Sequence, residues 1–135
     1  MKLNKASYAP CDPIVVMVTV KNTGKVASDE VVQVYIKQPH ATVPVPQVRL
    51  AAFKRVHVAA GSSTTLSLTV KPDSHSVVTT DGGGEAIYVA SADQKVEAGA
   101  ITVHVGGGQP DFYDGAVSGN AMISGAAALS TCDGL

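Results

Sequence analysis

The chain has 135 residues, of which 45% are hydrophobic and 16% charged. This balance excludes a disordered chain, and the length allows one domain with a real core. The 10 Lys and Arg residues are spread along the sequence against 11 Asp and Glu, so we expect no nucleic-acid partner. No apolar run approaches the roughly 20 residues that span a bilayer, so we expect no membrane partner either.

The two cysteines, Cys11 and Cys132, lie close to opposite ends of the chain. Chain termini of small domains often lie near one another, so a disulfide between them is geometrically possible, and two free thiols are equally compatible with the sequence. A bridge would indicate an oxidising compartment. The first residues contain no continuous apolar segment of the secretory type, so we expect either an intracellular protein or an excised domain.

Four segments alternate apolar and polar side chains with a period of two, which predicts β-strands with one buried face. They cover residues 14–21, 32–37, 65–71 and 101–105. The first two flank the sequence Asn22-Thr23-Gly24-Lys25. We predict a hairpin at this point, in which Gly24 can take a positive φ.

Weaker strand patterns cover residues 3–9, 48–58, 76–80 and 87–91. In the second of these, Phe53 has the opposite parity from Val56 and Val58, which predicts a bulge or a break near Lys54. Seven or eight short strands predict an all-β, antiparallel sandwich of the immunoglobulin or fibronectin type III class, and the pattern does not separate this from a small barrel.

The composition changes after Val105 to a segment rich in Gly, Ala and Ser. We therefore divide the chain into a sandwich over residues 1–107 and a tail over residues 108–135. The tail can wrap the sandwich, add an edge strand around residues 116–124, or stay mobile.

The sequence offers no convincing catalytic or metal-binding set. The carboxylates all fall at predicted turns, loops or strand ends, and nothing selects the facing pair that a glycosidase needs. The loop 81–85 lacks the ligand ladder of a calcium site. The histidines are interpreted as surface residues, although His57 and His104 would approach each other if their strands paired; the full set is His40, His57, His75 and His104. We predict no catalytic residue, no metal and no cofactor.

Carbohydrate binding usually needs exposed aromatic rings on which flat sugar faces stack. The chain has no Trp, and its six Phe and Tyr residues do not form a stripe. Tyr35, on the outward parity of its strand, and the pair Phe112 and Tyr113 are the only plausible platforms.

Three segments, in order along the chain, resemble the fibronectin type III-like C-terminal domain of glycoside hydrolase family 3, the β-glucosidases and β-xylosidases. They are VTVKNTGKVASDEVVQVYIKQP at 18–39, VPVPQVRLAAFKRVHVAAGSSTTLSLTV at 43–70 and VEAGAITVHVGG at 96–107. The chain departs from the family where Arg49 replaces a frequent Glu, Ala52 a frequent Gly, and Val45 a frequent Arg. These departures put in doubt the polar contacts that the Glu and Arg would make to a neighbouring domain.

The resemblance implies a parent enzyme whose catalytic Asp and Glu lie on other domains, because no position here matches a catalytic motif. It also implies a secreted or cell-wall location for that parent. We therefore expect a non-catalytic accessory domain whose partners are the catalytic domains of the parent. Val15 and Met17, which are apolar on the outward parity, and Tyr35 are candidates for this contact. The alternatives are an independent module that binds polysaccharide or another surface ligand, and an autonomous hydrolase.

Overall fold

A computed structural model of the protein describes residues 1–39, 48–78, 94–108 and 117–132. Within these ranges the chain forms eleven β-strands and two 3₁₀ turns, Pro72–His75 and Leu129–Thr131. The strands are β1 (Lys2–Leu3), β2 (Ser7–Tyr8), β3 (Ile14–Lys21), β4 (Ser28–Lys37), β5 (Arg49–Val58), β6 (Ser63–Val70), β7 (Ser76–Val78), β8 (Gln94–Val96), β9 (Gly99–Gly106), β10 (Val117–Ile123) and β11 (Ala127–Ala128). The predicted strand at 87–91 and the loop 81–85 lie outside the described residues.

The strands form a three-stranded sheet in the order β1-β3-β6 and a five-stranded sheet in the order β2-β10-β9-β4-β5. A small third sheet has the order β11-β8-β7. All pairs are antiparallel except the short pair of β10 with β2. The four strongest strand predictions and the all-β sandwich are confirmed.

The core lies between the two larger sheets and follows from the alternation of apolar side chains. Each of the strands β3, β4, β6 and β9 contributes every second residue to it, and the aliphatic members from these strands are Ile14, Val16, Val32, Val34, Ile36, Leu66, Leu68, Val70, Ile101, Val103 and Val105. Complete burial of one such side chain stabilises the fold by about 1.5–3 kcal/mol.

The predicted hairpin between β3 and β4 is wrong. β3 pairs with β6, whereas β4 pairs with β5 and β9, so the connection crosses from one sheet to the other. The Asn22 side chain holds this crossover: its Oδ1 accepts a hydrogen bond from Gly24 N at 2.9 Å, and its Nδ2 donates to Val26 O at 2.9 Å and Val58 O at 3.0 Å. Gly24 has no positive φ; among the described glycines only Gly61 and Gly99 do.

The predicted irregularity of β5 exists, but its predicted position near Lys54 is wrong. The pairing with β4 is continuous from Val58 to Ala52, and the register then shifts, so that Leu50 lies opposite Tyr35. Ala51 is therefore the extra residue of a β-bulge, and Phe53 simply points outward from a regular stretch. The predicted strand at 3–9 divides into β1 and β2, which join different sheets.

Part of the Gly-, Ala- and Ser-rich tail belongs to the folded unit. β10 lies between β9 and β2, with seven residue pairs to β9. Within the part of the chain that the structure describes, no helix is both long and apolar enough to cross a membrane.

Candidate interaction surfaces

The three residues expected to contact a neighbouring domain do not share one surface. Val15 and Met17 alternate with the buried Ile14 and Val16 of β3, so they lie on the outer face of the three-stranded sheet. Tyr35 alternates with buried residues of β4 and lies on the outer face of the five-stranded sheet. The two faces are on opposite sides of the sandwich, so one flat partner surface cannot cover both.

The outer face around Tyr35 carries the larger exposed apolar groups. On β5, Leu50 is 52% exposed and Phe53 is 69% exposed. Leu50 pairs directly with Tyr35, and Phe53 pairs with Gln33. The Tyr35 hydroxyl donates a hydrogen bond of 2.6 Å to Gln33 Oε1, which fixes the ring beside its polar neighbour. We call these four residues, Gln33, Tyr35, Leu50 and Phe53, the Tyr35 face.

The opposite outer face is richer in hydroxyl groups. Met17 lies between Lys2 on β1 and Ser67 on β6, and Val15 lies opposite Thr69. Both apolar side chains are half-buried, so they offer less apolar area than Leu50 and Phe53. We call Val15 and Met17, with their hydroxyl neighbours on β6, the Met17 face.

A charged cluster lies near the start of β4. Asp29 accepts hydrogen bonds from Arg55 Nε at 3.2 Å and Nη2 at 3.1 Å through one oxygen, and its other oxygen lies 2.6 Å from His57 Nδ1. The hydrogen bonds from His57 and Arg55 hold the Asp29 pKa below its usual value. The Arg55 and His57 side chains are largely exposed, and that of Asp29 is partly exposed. Exposed ion pairs of this kind add little stability and do not by themselves form a reactive site.

The structure does not bring His57 and His104 together. Their strands share the five-stranded sheet, but β4 lies between β5 and β9. His57 faces Asp29, whereas His104 lies opposite Tyr35.

The prediction that the histidines are surface residues is wrong for His75, which is only 2% exposed. Within the described chain, neither ring nitrogen has a hydrogen-bond partner. Burial, reinforced by the positive charge of Arg49, lowers the His75 pKa to about 4. The ring is therefore neutral at physiological pH. His40 lies outside the described residues.

Arg49 fastens the 3₁₀ turn that contains His75 to the start of β5. Its Nη1 donates to Ser76 O at 2.7 Å and its Nη2 to Asp73 O at 3.2 Å. Gln38 Nε2 donates to His75 O at 2.9 Å from the end of β4. Burial lowers the Arg49 pKa. Arg49 stands where the family frequently has Glu, and in this chain its side chain makes contacts within the domain.

Cys11 and Cys132 form a disulfide with a Cα–Cα distance of 5.2 Å and a sequence separation of 121. The sequence alone is compatible with either a disulfide or two free thiols. The bond connects the segment before β3 to the end of the described tail.

A groove of about 350 Å³ lies between β3 and the strands β4, β9 and β10. Valines and glycines form much of its lining, together with the charged residues Lys21 and Glu30. In the described ranges, no group of three His, Cys, Asp or Glu side chains is placed to hold a metal ion. Phe112 and Tyr113 lie outside those ranges.

The fold is a fibronectin-type sandwich. The Tyr35 face and the Met17 face lie on the outer faces of its two larger sheets. Residues 30–109 match the sequence model of the fibronectin type III-like domain family. The match covers more than half of the chain, and the protein belongs to this family.

The relatives show where such domains occur. The chain is 34% identical over 107 residues to a β-xylosidase of Formosa agariphila, a match that covers 78% of this chain and 13% of that enzyme. It superposes on a family 3 β-glucosidase of Bifidobacterium adolescentis with a TM-score of 0.71 and 25% identity, over 90% of this chain and 16% of the other. A β-glucosidase of Erythrobacter marinus gives a TM-score of 0.73 at 23% identity, over 90% and 14% of the two chains, and supports the fold alone. The chain therefore corresponds to a small part of each of these longer proteins, and the fibronectin type III-like domain of family 3 is the shared part.

Proposed function

We propose that this chain is a non-catalytic accessory domain of a family 3 glycoside hydrolase, where it packs on the catalytic domains and stabilises them. The observation that carries the proposal is the match to 13% of a much longer β-xylosidase and to 16% of a family 3 β-glucosidase. Arg49 forms structural contacts and Asp29 pairs with Arg55 at the surface, which is consistent with a supporting role.

The main contact with the catalytic domains is assigned to the Tyr35 face. Leu50 and Phe53 are more than half exposed there, next to the half-buried Tyr35 ring. Apolar and aromatic side chains grouped on one flat sheet are typical of surfaces that become buried against a neighbour. Val15 and Met17, on the opposite side, are proposed as a smaller second contact.

Binding can be measured by calorimetric titration of the 135-residue chain into the Formosa agariphila β-xylosidase from which the matching segment has been deleted. The proposal predicts measurable binding. Phe53→Lys should weaken it by about tenfold or more, because a lysine at the centre of the contact would be buried without a partner. Met17→Lys is the matched variant on the other face and should have a much smaller effect.

Each outcome decides a part of the proposal. No binding by the unaltered chain contradicts packing on the catalytic domains. Binding that is lost with Met17→Lys and kept with Phe53→Lys contradicts the assignment to the Tyr35 face. Circular dichroism of both variants establishes that the sandwich is intact.

A second candidate function is supported by the same face. Tyr35 and Phe53 are aromatic, and Gln33 places an amide beside them, which are the groups that bind a sugar ring. An independent polysaccharide-binding module predicts that the chain is retained on insoluble xylan or cellulose and released by Phe53→Ala. The accessory role predicts no retention.

The disulfide supports a location for the parent in an oxidising compartment, such as the exterior of the cell or the cell wall. Hydrolysis by the chain itself is not part of the proposal. The purified chain is expected to leave aryl β-glucosides and aryl β-xylosides intact.

A further inference from the structure

The strand β6 forms one edge of the three-stranded sheet. It pairs with β3 over eight residue pairs, from Ser63 opposite Lys21 to Val70 opposite Ile14. In the described part of the chain, no strand pairs with its other side. A row of backbone donors and acceptors on this side is therefore available to a further strand.

The pairing identifies which backbone groups face outward. Asn22 N donates to Ser62 O at 2.9 Å, which continues the β3–β6 register, so the even-numbered residues of β6 form the hydrogen bonds to β3. Asn4 N donates to Val15 O at 3.1 Å, so the odd-numbered residues of β3 face β1, in agreement with this assignment. The N–H and C=O groups of the odd-numbered residues of β6 consequently point to the open edge. These residues are Ser63, Thr65, Ser67 and Thr69, and all four are exposed.

The two sheet edges on this side of the sandwich differ in protection. β5, the corresponding edge of the five-stranded sheet, carries the bulge at Ala51 and the charged residues Lys54 and Arg55. Bulges and charges are the usual features that prevent edge strands from pairing. The sequence from 59 to 70 contains no Lys, Arg, Asp, Glu or Pro. β6 is thus a regular, uncharged edge of small side chains.

We propose that β6 pairs with β6 of a second copy of this chain, antiparallel about a two-fold axis, and joins the two three-stranded sheets into one six-stranded sheet. Only one register places all four outward-facing residues in hydrogen-bonded pairs. It sets Ser63 opposite the second Thr69, and Thr65 opposite the second Ser67. Leu66 then lies opposite its own copy on the core side, and no like charges meet within the paired strands. Such a self-complementary contact is what a two-fold dimer requires.

The partner is a second copy of this chain because the edge of β6 is complementary to itself. A strand of any other protein would need its own matching register and uncharged edge, whereas β6 supplies both for itself. The contact does not use the Tyr35 face. Ser67 and Thr69 also belong to the Met17 face, but the strand pairing uses their backbone N–H and C=O groups at the sheet edge and not the side chains of Val15 and Met17, so the accessory role and the dimer are tested separately.

Sedimentation velocity of the 135-residue chain, from micromolar to near-millimolar concentration, tests the proposal. The unaltered chain should show a reversible dimer. Ser67→Pro removes one outward N–H that the β3–β6 pairing does not use, and proline is tolerated on edge strands, so the variant should be folded and monomeric. Ser67→Ala keeps the N–H and should remain dimeric.

A second pair of variants tests the register even where Ser67→Pro fails to fold. Mixing Thr65→Lys with Ser67→Glu should give a mixed dimer that is tighter than either variant alone, since residues 65 and 67 face each other across the axis. A monomeric unaltered chain, a folded dimer of Ser67→Pro, or no preference for the mixed pair would overturn the proposal.

Discussion

At the scale of single residues, His75 shows that an ionisable side chain can be part of the core of this domain. Its ring lies beneath the 3₁₀ turn Pro72–His75, and the guanidinium of Arg49 holds that turn. A protonated ring would be a buried charge near a second positive charge, which explains the direction of its pKa.

The His75 pKa makes stability depend on pH. The pKa is about 4 in the folded protein and 6.5 in its ordinary state, so between these values the unfolded chain binds more protons. The free energy of unfolding therefore falls as pH decreases through this window, by about 3 kcal/mol in total from this residue. Urea unfolding from pH 7 to pH 4 should show this loss in the unaltered chain.

His75→Leu is the matched variant, because it keeps an apolar side chain of similar volume at the site and cannot be protonated. All other titrating groups are common to both proteins. The variant should lose about 3 kcal/mol less between pH 7 and pH 4. Parallel stability curves for the two proteins would contradict the buried, neutral state of His75.

At the scale of elements, the sequence predicts strands well and their partners poorly. The alternation in β3, β4, β6 and β9 identifies each strand and its buried face, because a period of two defines a face whichever strand lies beside it. It carries no information on sheet membership. The crossover after β3 depends on the Asn22 side chain reaching Val58 O, 36 residues away along the chain.

The bulge on β5 is a second feature that the sequence pattern did not place correctly. Phe53 was predicted to mark the irregularity because it interrupts the apolar parity. The side chain instead points to solvent, and the register shifts at Ala51, where two adjacent alanines both pack against the core. An alanine is small enough to lie on either face of a sheet, so the sequence at Ala51 does not indicate where the register shifts.

The candidate surfaces were predicted only in part. Parity correctly places Val15, Met17 and Tyr35 on outer faces, but it does not reveal that the faces are opposite. It also misses Leu50, whose orientation is set by the bulge. The burial of His75 was missed because its short polar neighbours, Ser74 and Ser76, resemble those of a surface turn.

At the scale of the whole molecule, the disulfide closes nearly the entire chain into one loop. In the chain-entropy account, a separation of 121 residues restricts the unfolded state strongly. Replacing both cysteines, as Cys11→Ser with Cys132→Ser, should lower the free energy of unfolding by about 3–5 kcal/mol.

Denaturant unfolding of the double variant beside the oxidised and the reduced parent chain measures this effect. The reduced parent should match the double variant. Equal midpoints for the oxidised and reduced forms would show that the bond does not constrain the fold.

The proposed supporting role concerns the whole molecule, because it describes how the sandwich would affect a larger enzyme. Two adjoining folded units that share an apolar contact stabilise each other, and removal of one exposes the contact of the other. The face formed by Gln33, Tyr35, Leu50 and Phe53 is the surface on which this effect is proposed to depend.

Differential scanning calorimetry of three proteins measures this stabilisation: the intact Formosa agariphila β-xylosidase, the same enzyme without its matching segment, and the enzyme with this chain in place of that segment. We expect the deletion to lower the melting temperature of the catalytic part and this chain to restore most of the loss. A deleted enzyme that melts at the same temperature as the intact one, or a replacement that restores nothing, would contradict the proposed supporting role.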